Sequence, residues 1–221
     1  MDLDAKDIPE RRAVRTFQVN DAARLTIVGP GRVSVAIGSP ATASVTALPA
    51  DQDRISPKGG ASDIEFVFKG GLFTHRGPEE EIAYAIVMTH VRELVFSDHV
   101  VAQIDGLETN ELSIELKNHS QLTISGLKAG ALDAKFEGES TLTLAGAAEH
   151  QMIRLKGKSA YRGAQLDSVG AEIKADGEST AEVRVEERIK AETGGGSKLT
   201  YTGDNVAIEL KSTDRGAIRQ G

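Results

Sequence analysis

Residues 134–144 read AKFEGESTLTL, and residues 173–183 repeat the pattern as IKADGESTAEV. In both segments, apolar residues alternate with polar ones on either side of a short polar turn that ends in serine. Related segments occupy residues 114–124, 153–163 and 191–201, and residues 94–104 form a weaker copy. The serines recur every 18 to 20 residues, at Ser120, Ser140, Ser159, Ser179 and Ser197. A short, regular repeat of this kind is the signature of a stacked architecture.

The alternation predicts short strands that turn one face inward. The predicted inward residues are Leu116, Leu122, Ile124, Phe136, Leu142, Leu144, Leu155 and Tyr161. Each copy turns at Asn or Gly, residue types that accept positive φ, namely at Asn118, Gly138, Gly157, Gly177 and Gly195. One coil cannot bury its own apolar face, so we expect coils stacked about 4.8 Å apart.

A β-sandwich also has strands at this spacing. However, a sandwich gives no reason for the same turn residues to recur at a fixed phase. Crossovers between parallel strands are overwhelmingly right-handed. The sequence therefore predicts an all-β fold, a single-stranded right-handed parallel β-helix (β-solenoid) with 18 to 20 residues per coil and a β-rich N-terminal cap.

No linker divides the chain, so we expect one domain over residues 1–221. It comprises N-terminal strands and cap (13–93), repeat coils (94–202) and C-terminal cap strands (203–221). We expect the first strands to begin and cap the solenoid. Strands are predicted at Arg15–Val19, Arg24–Val28, Arg32–Ile37, Ala43–Ala47, Ile64–Phe68 and Ile82–Met88. Residues 206–218 are expected to close the other end.

Composition excludes several classes of partner. With 26 basic and 33 acidic residues the net charge is -7, which disfavours nucleic acid and anionic lipid. The absence of cysteine excludes disulfides and thiolate metal sites. No stretch approaches the roughly 18 apolar residues of a membrane-spanning helix. Residues 1–7 are polar and acidic, unlike a signal peptide. We therefore expect either a cytoplasmic protein or one exported after loss of a leader.

The strings GESTL (138–142) and GESTA (177–181) resemble the repeat of the head GIN domain, a family of bacterial auto-transporter adhesins. The segment GGGSKLTYTG (194–203) is similar to that family's ending, and residues 16–19 with the hairpin at 25–37 are similar to its opening strands. The resemblance spans residues 13–218, although Glu139, Lys158 and Glu178 stand where most family repeats carry Ala or Ser. It implies a β-helical fold, export to the periplasm or cell surface, and no assigned enzymatic activity or catalytic residues.

The residues preceding the serines form one predicted row: His99, His119, Glu139, Lys158, Glu178 and Gly196. In a stack, His99 and His119, with Asp98 or Glu139, have the ligand types of a divalent-metal site. Alternatively, Glu139, Lys158 and Glu178 form alternating surface ion pairs in a solvated row. We favour the structural interpretation.

Other candidates favour structural roles. No basic residue that could activate a serine recurs beside the serine row. Hydrogen bonds from the serine hydroxyls to one another or to turn amides are enough to explain why serine recurs. Asp133, Asp167 and Glu172 are not expected to share a position, so no acidic cluster of a glycosidase is predicted. The run Glu79–Glu81 lacks the spacing of a calcium loop and is expected to be an exposed acidic loop. We expect a capping core, or secondly a partner surface, from Phe66, Phe68, Phe73 and Tyr84.

The sequence thus assigns no catalytic, cofactor-binding or metal residue. The favoured function is a non-enzymatic cell-envelope or surface protein with an adhesin-like binding or scaffold role. Its partner would be a protein or glycan surface, and a homo-oligomer is expected. The alternatives are a self-associating structural solenoid of the bactofilin type and, third, a polysaccharide-active enzyme.

Overall fold

The computed structural model describes residues 12–19, 21–60, 62–69, 78, 80–204 and 206–221. It is a β-solenoid with roughly 20 residues per coil, and its one described helix, α1, covers Pro49–Gln52. The strands are β1 (Ala13–Gln18), β2 (Arg24–Val28), β3 (Gly31–Ile37), β4 (Thr42–Ala47), β5 (Ile55–Gly59), β6 (Asp63–Phe68), β7 (Ala83–Met88), β8 (Glu93–Ser97), β9 (Val100–Lys117), β10 (Gln121–Phe136), β11 (Thr141–Leu155), β12 (Ala160–Ala175), β13 (Thr180–Arg184), β14 (Arg188–Thr193), β15 (Lys198–Thr202), β16 (Ala207–Ser212) and β17 (Ala217–Gln220).

The repeat copies stack in parallel register. The residues that directly follow the serines pair across successive coils, from Gln121 through Thr141, Ala160 and Thr180 to Lys198. The serines therefore form the vertical row that the sequence predicts. All the predicted inward residues are buried. The turn positions have positive φ, between 51° at Asn118 and 80° at Gly177. The solenoid and its repeat are confirmed.

The long strands β9 to β12 bend through three faces. The first face carries their C-terminal arms together with β8, β14 and β16. The second face carries their N-terminal arms together with β3, β13, β15 and β17. A short third face is formed by residues 107–109, 127–129, 146–148 and 166–168. The apolar column lies between these faces.

The first coil of the chain lies inside the stack. Strand β2 pairs with β6 on one edge and β8 on the other, while β3 pairs with β7 and β9. The sequence instead predicts that these strands begin the solenoid. Their inward residues Leu25 and Ile27 are fully buried, which suits a coil that is covered on both sides.

Antiparallel strands cover the N-terminal end. Strand β4 pairs with β7, β1 pairs with β4, and β5 pairs with β6. The outermost strand of the first face, β5, contains Pro57 and Lys58, residue types that protect an edge from further pairing. This end of the solenoid is therefore capped.

A chain of buried hydrogen bonds crosses the interior. The Tyr161 hydroxyl donates to Oε1 of Gln151 at 2.6 Å, and Nε2 of Gln151 donates to Oγ of Ser168 at 2.7 Å. The Ser168 hydroxyl in turn donates to the Arg184 carbonyl at 2.7 Å. Burial raises the pKa of Tyr161, so its phenol stays a neutral donor. The chain ties all three faces together.

Candidate functional site

The predicted histidine row lies at the corner between the first and second faces. The imidazole rings of His99 and His119 are stacked, with centroids 4.9 Å apart and planes inclined by 8°. Nε2 of His119 lies 3.1 Å from a Glu139 carboxylate oxygen. Both histidines have positive φ, 71° at His99 and 68° at His119. The stack thus brings these three side chains together, as the repeat predicts.

This geometry favours a structural row over a metal site. In two stacked rings the nitrogen lone pairs lie in parallel planes and do not meet. Two imidazoles that bind one ion must instead direct their nitrogen lone pairs at the same point, with metal–nitrogen distances of about 2.0–2.1 Å. The carboxylate of Asp98, the other proposed ligand, accepts a hydrogen bond from the side-chain amide nitrogen Nδ2 of Asn118 at 2.9 Å. Within the described ranges, no group of three or more His, Asp or Glu residues is arranged to hold a metal ion. Further along the row, Lys158 lies 3.9 Å from Glu178.

The serine row is buried at the same corner. Each hydroxyl donates to the carbonyl three residues earlier, at distances between 2.6 Å (Ser197 to Gly194) and 3.0 Å (Ser140 to Glu137). The sequence predicts bonds between hydroxyls or to turn amides. The acceptor is instead a turn carbonyl, because each inward-facing serine reaches back across its own sharp corner. A buried hydroxyl in this arrangement has no access to a substrate.

One prediction about the acidic candidates is wrong. Through the strand register, Asp133 pairs with Met152 and Met152 pairs with Glu172, so the two acids share a row on the first face. Asp167 lies apart, on the third face. Each of the three carboxylates contacts a base: Asp133 contacts Arg154 at 2.8 Å, Glu172 contacts Lys174 at 3.5 Å, and Asp167 contacts Arg184 at 3.0 Å.

The acidic run and the aromatic residues have structural roles where they are described. Glu80 pairs with Arg12 and Glu81 with Arg32, whereas Glu79 lies outside the described residues. Phe66 packs against Phe17 and Tyr84, each with ring centroids 5.6 Å apart. The Arg54 guanidinium covers the half-buried Phe68 ring at 4.2 Å, and Phe73 lies outside the described residues. These aromatics belong to the capping core.

A groove with a volume of about 800 Å³ lies on the first face. It crosses six coils, and each coil contributes three consecutive residues. The middle residues form the floor, whose side chains turn toward the core: Leu112, Leu132, Gln151, Ala171, Ile189 and Ile208. The residues on either side form two rims. Because every coil repeats this cross-section, the groove runs along the solenoid axis.

The rim next to the third face alternates large and small side chains. Glu111, His150 and Arg188 project from alternate coils, separated by Ala131, Gly170 and Ala207. The small residues leave notches about two coil spacings apart, roughly 9.6 Å. A Cβ added at Gly170 would lie 3.0 Å from Nδ1 of His150, which shows how closely the notch is bounded.

The two rims differ in charge pairing. On the far rim, Asp133, Glu172, Lys190 and Glu209 all contact an oppositely charged side chain. On the near rim, Glu111 and Arg188 make no ion pair within the described residues, nor does Arg92 at the N-terminal end of the groove. Glu111 and Arg188 lie four coil spacings apart, roughly 19 Å. The groove therefore offers a floor that exposes almost no side chain before Ile208, and widely spaced charges of both signs.

Sequence reasoning missed the groove and the buried Gln151, although a signal for part of it was present. Ser113, Asp133, Met152, Glu172 and Lys190 each stand seven positions before an anchoring serine. Counting back from the serines would have placed them in one row. The concavity itself depends on the corner geometry and on the size of the neighbouring side chains, which a period of two does not reveal.

A family model described as "Putative auto-transporter adhesin, head GIN domain" matches residues 23–205. The chain belongs to this family. No curated protein matches the chain. The resemblance inferred from the repeat is therefore confirmed.

Solved structures share the head GIN fold at low identity. A "putative adhesin" of Bacteroides fragilis NCTC 9343 is 16% identical with a TM-score of 0.88, covering 96% of this chain and 98% of the other. A "putative adhesin" of Parabacteroides merdae ATCC 43184 is 16% identical with a TM-score of 0.73, covering 96% and 97%. A "putative lipid binding protein" of Parabacteroides distasonis ATCC 8503 is 14% identical with a TM-score of 0.75, covering 96% and 98%. None of the helical segments in the described ranges has the length and hydrophobicity needed to cross a bilayer.

Proposed function

We propose that this protein is a non-enzymatic binding protein of the bacterial cell envelope or surface, and that its groove holds an extended segment of a partner protein. The groove on the first face carries the proposal, because it is long, open along its length and edged by charges of both signs. Membership of the head GIN family, described as adhesins, supports a surface setting. The ion-paired acids and buried serines described above favour binding over catalysis.

The lining of the groove favours a polypeptide over a glycan. Large aromatic side chains provide broad, flat contact area at recognition sites, and the groove lining contains no Phe, Tyr or Trp. An extended peptide rises about 3.3 Å per residue, so about six residues span the roughly 19 Å between Glu111 and Arg188. A bound segment with a base near Glu111 and an acid about six residues away would meet both rim charges.

The first test is selection of peptides by the purified protein from a displayed library of random ten-residue sequences. We expect selected peptides to carry a basic and an acidic residue about six positions apart. Arg188→Glu should weaken binding of a selected peptide by about tenfold, because it places like charges together. Arg219→Glu, the same change on exposed β17 outside the groove, should leave the affinity unchanged.

Three results would contradict this function. Equal binding of selected peptides by the Arg188→Glu and Arg219→Glu variants would place the site elsewhere. Binding on a glycan array without any peptide selection would replace the proposed partner with a carbohydrate. Cleavage of any probe during these assays would show an enzyme. The envelope setting is tested separately, by protease accessibility of the protein on intact cells of its source bacterium.

A further inference from the structure

The two ends of the solenoid differ. The N-terminal end is covered by the antiparallel strands β1, β4 and β5, as described above. At the other end, β16 pairs with β14 and β17 with β15, and no described strand lies on their outer edges. The apolar rows also continue to this end. Ile208 and Leu210 occupy inward positions but remain 51% and 39% exposed, because no coil covers them.

The backbone of β16 presents a defined set of free groups. The amide of Ala207 donates to Glu187 at 2.8 Å, and that of Thr213 donates to Thr193 at 2.9 Å. Since successive residues of a strand point their N–H and C=O groups to opposite edges, the odd-numbered residues face β14. Ile208, Leu210 and Ser212 therefore direct their backbone groups to the open edge.

The charges next to this edge form a checkerboard. One row across three successive coils consists of Glu172, Lys190 and Glu209. A second row lies two residues further along each strand and has the opposite sign at each coil: Lys174, Glu192 and Lys211. Lys190 lies 3.3 Å from Glu209, and Lys211 lies 2.9 Å from Glu192. The hydrogen bond from Lys211 lowers the pKa of Glu192 and raises that of Lys211. One more coil in this pattern would place a base opposite Glu209 and an acid opposite Lys211.

We infer that a second copy of this chain supplies that row, by antiparallel pairing of β16 with β16 around a two-fold axis at Leu210. In this register Glu209 of one copy faces Lys211 of the other, twice over. Leu210 faces Leu210, and Ile208 faces Ser212. The backbone groups of Ile208, Leu210 and Ser212 in each copy point to the open edge, and in this register they hydrogen-bond to the same set of residues in the other copy.

Other registers of the same pairing are less favourable. An axis between two residues would pair edge-facing backbone groups with groups already bonded to β14, so the axis must pass through a residue. An axis at Glu209 sets two glutamates opposite each other, and an axis at Lys211 sets two lysines opposite each other. Like charges directly opposite in a sheet are destabilising. Charge therefore favours Leu210 over its two neighbours, and Leu210 also lies near the middle of β16, where the two strands overlap most.

The capped N-terminal end limits this association to two copies. A two-fold interface uses the same surface on both partners and closes on itself. Growth of a filament along the first face would need a second open edge, and the outermost strand of that face at the N-terminal end, β5, carries Pro57 and Lys58, which protect it from further pairing. The protein is thus expected to form a dimer joined at its C-terminal ends, independent of any groove ligand.

The test is sedimentation velocity over a concentration series from low micromolar to near millimolar. Wild-type protein should reach a plateau at twice the chain mass of 23.5 kDa. Glu209→Lys gives an interface with only lysines at these positions, and Lys211→Glu gives one with only glutamates. Each variant alone should dimerise at least about tenfold more weakly than wild type. An equimolar mixture of the two should form a heterodimer, because every facing pair is again of opposite charge.

The mixture separates this proposal from a simple loss of folding, since misfolded variants would not rescue each other. Glu108→Lys is the matched control: it breaks a similar cross-coil pair, with Lys128 at 3.9 Å, away from the open end. It should dimerise like wild type. A wild-type protein that stays monomeric, a mass that grows without a plateau, or single variants that do not recover on mixing would each overturn the proposal.

Discussion

Gly146→Ala is expected to lower the free energy of unfolding by about 3–5 kcal/mol, because it adds a side chain where both backbone and space require glycine. Gly146 has a φ of 132°, which L residues rarely adopt. A Cβ there would overlap the carbonyl oxygen of Leu127 and lie 2.6 Å from its amide nitrogen. These are backbone atoms of the neighbouring coil, and they cannot move away without breaking the ladder between β10 and β11.

Gly106→Ala is the matched control, at the equivalent corner two coils away. Gly106 also has positive φ, 72°, but an added Cβ meets no atom within 4 Å. This change should cost only about 1–2 kcal/mol, the penalty of the left-handed backbone alone. Urea unfolding followed by circular dichroism measures both. Equal losses in the two variants would show that coil-to-coil contact at Gly146 contributes nothing beyond its φ.

Tyr161→Phe is the second large effect, with an expected loss of about 1–3 kcal/mol. Removing the hydroxyl leaves Oε1 of Gln151 buried without its donor, in the middle of the chain that ends at the Arg184 carbonyl. The rest of the ring stays in place, so the lost packing is small. Thermal and urea unfolding of the variant would measure the cost of the orphaned acceptor.

Tyr84→Phe provides the comparison, since it deletes the same atom from another buried tyrosine. The Tyr84 hydroxyl has no hydrogen-bond partner within the described residues. Burial raises its pKa, so it is neutral in the folded protein. Its removal should leave stability unchanged or increase it slightly, because an unpaired polar atom leaves the core. A larger loss for Tyr84→Phe than for Tyr161→Phe would contradict the proposed role of the hydrogen-bond chain.

The repeat made most of the fold predictable. Alternation at residues such as Leu142 and Leu144 set the inward face, and the phase of Ser140 and Ser179 set the stacking. These signals are local, so a single copy reveals them and the other copies confirm them. The same phase also predicted that His99, His119 and Glu139 would meet.

Features that depend on pairing between distant parts of the chain could not be predicted from the sequence. Nothing in the local pattern of β2 and β3 indicates that later strands flank them on both sides. Gln151 occupies a phase where its neighbours carry Leu132 and Ala171, and only its partners Tyr161 and Ser168 explain a polar residue there. The groove arises from a corner at which two consecutive residues face outward, which alternation alone does not predict.

The position of the β2–β3 coil separates the order of assembly from the order of synthesis. Both neighbours of this coil come from residues 63–104, so the first coil to leave the ribosome has no template until much later sequence has emerged. Coils after residue 100 need only the segment that follows them, and their loop-closure entropy is correspondingly lower. Nucleation is therefore expected in the middle of the chain, and the N-terminal strands are incorporated last.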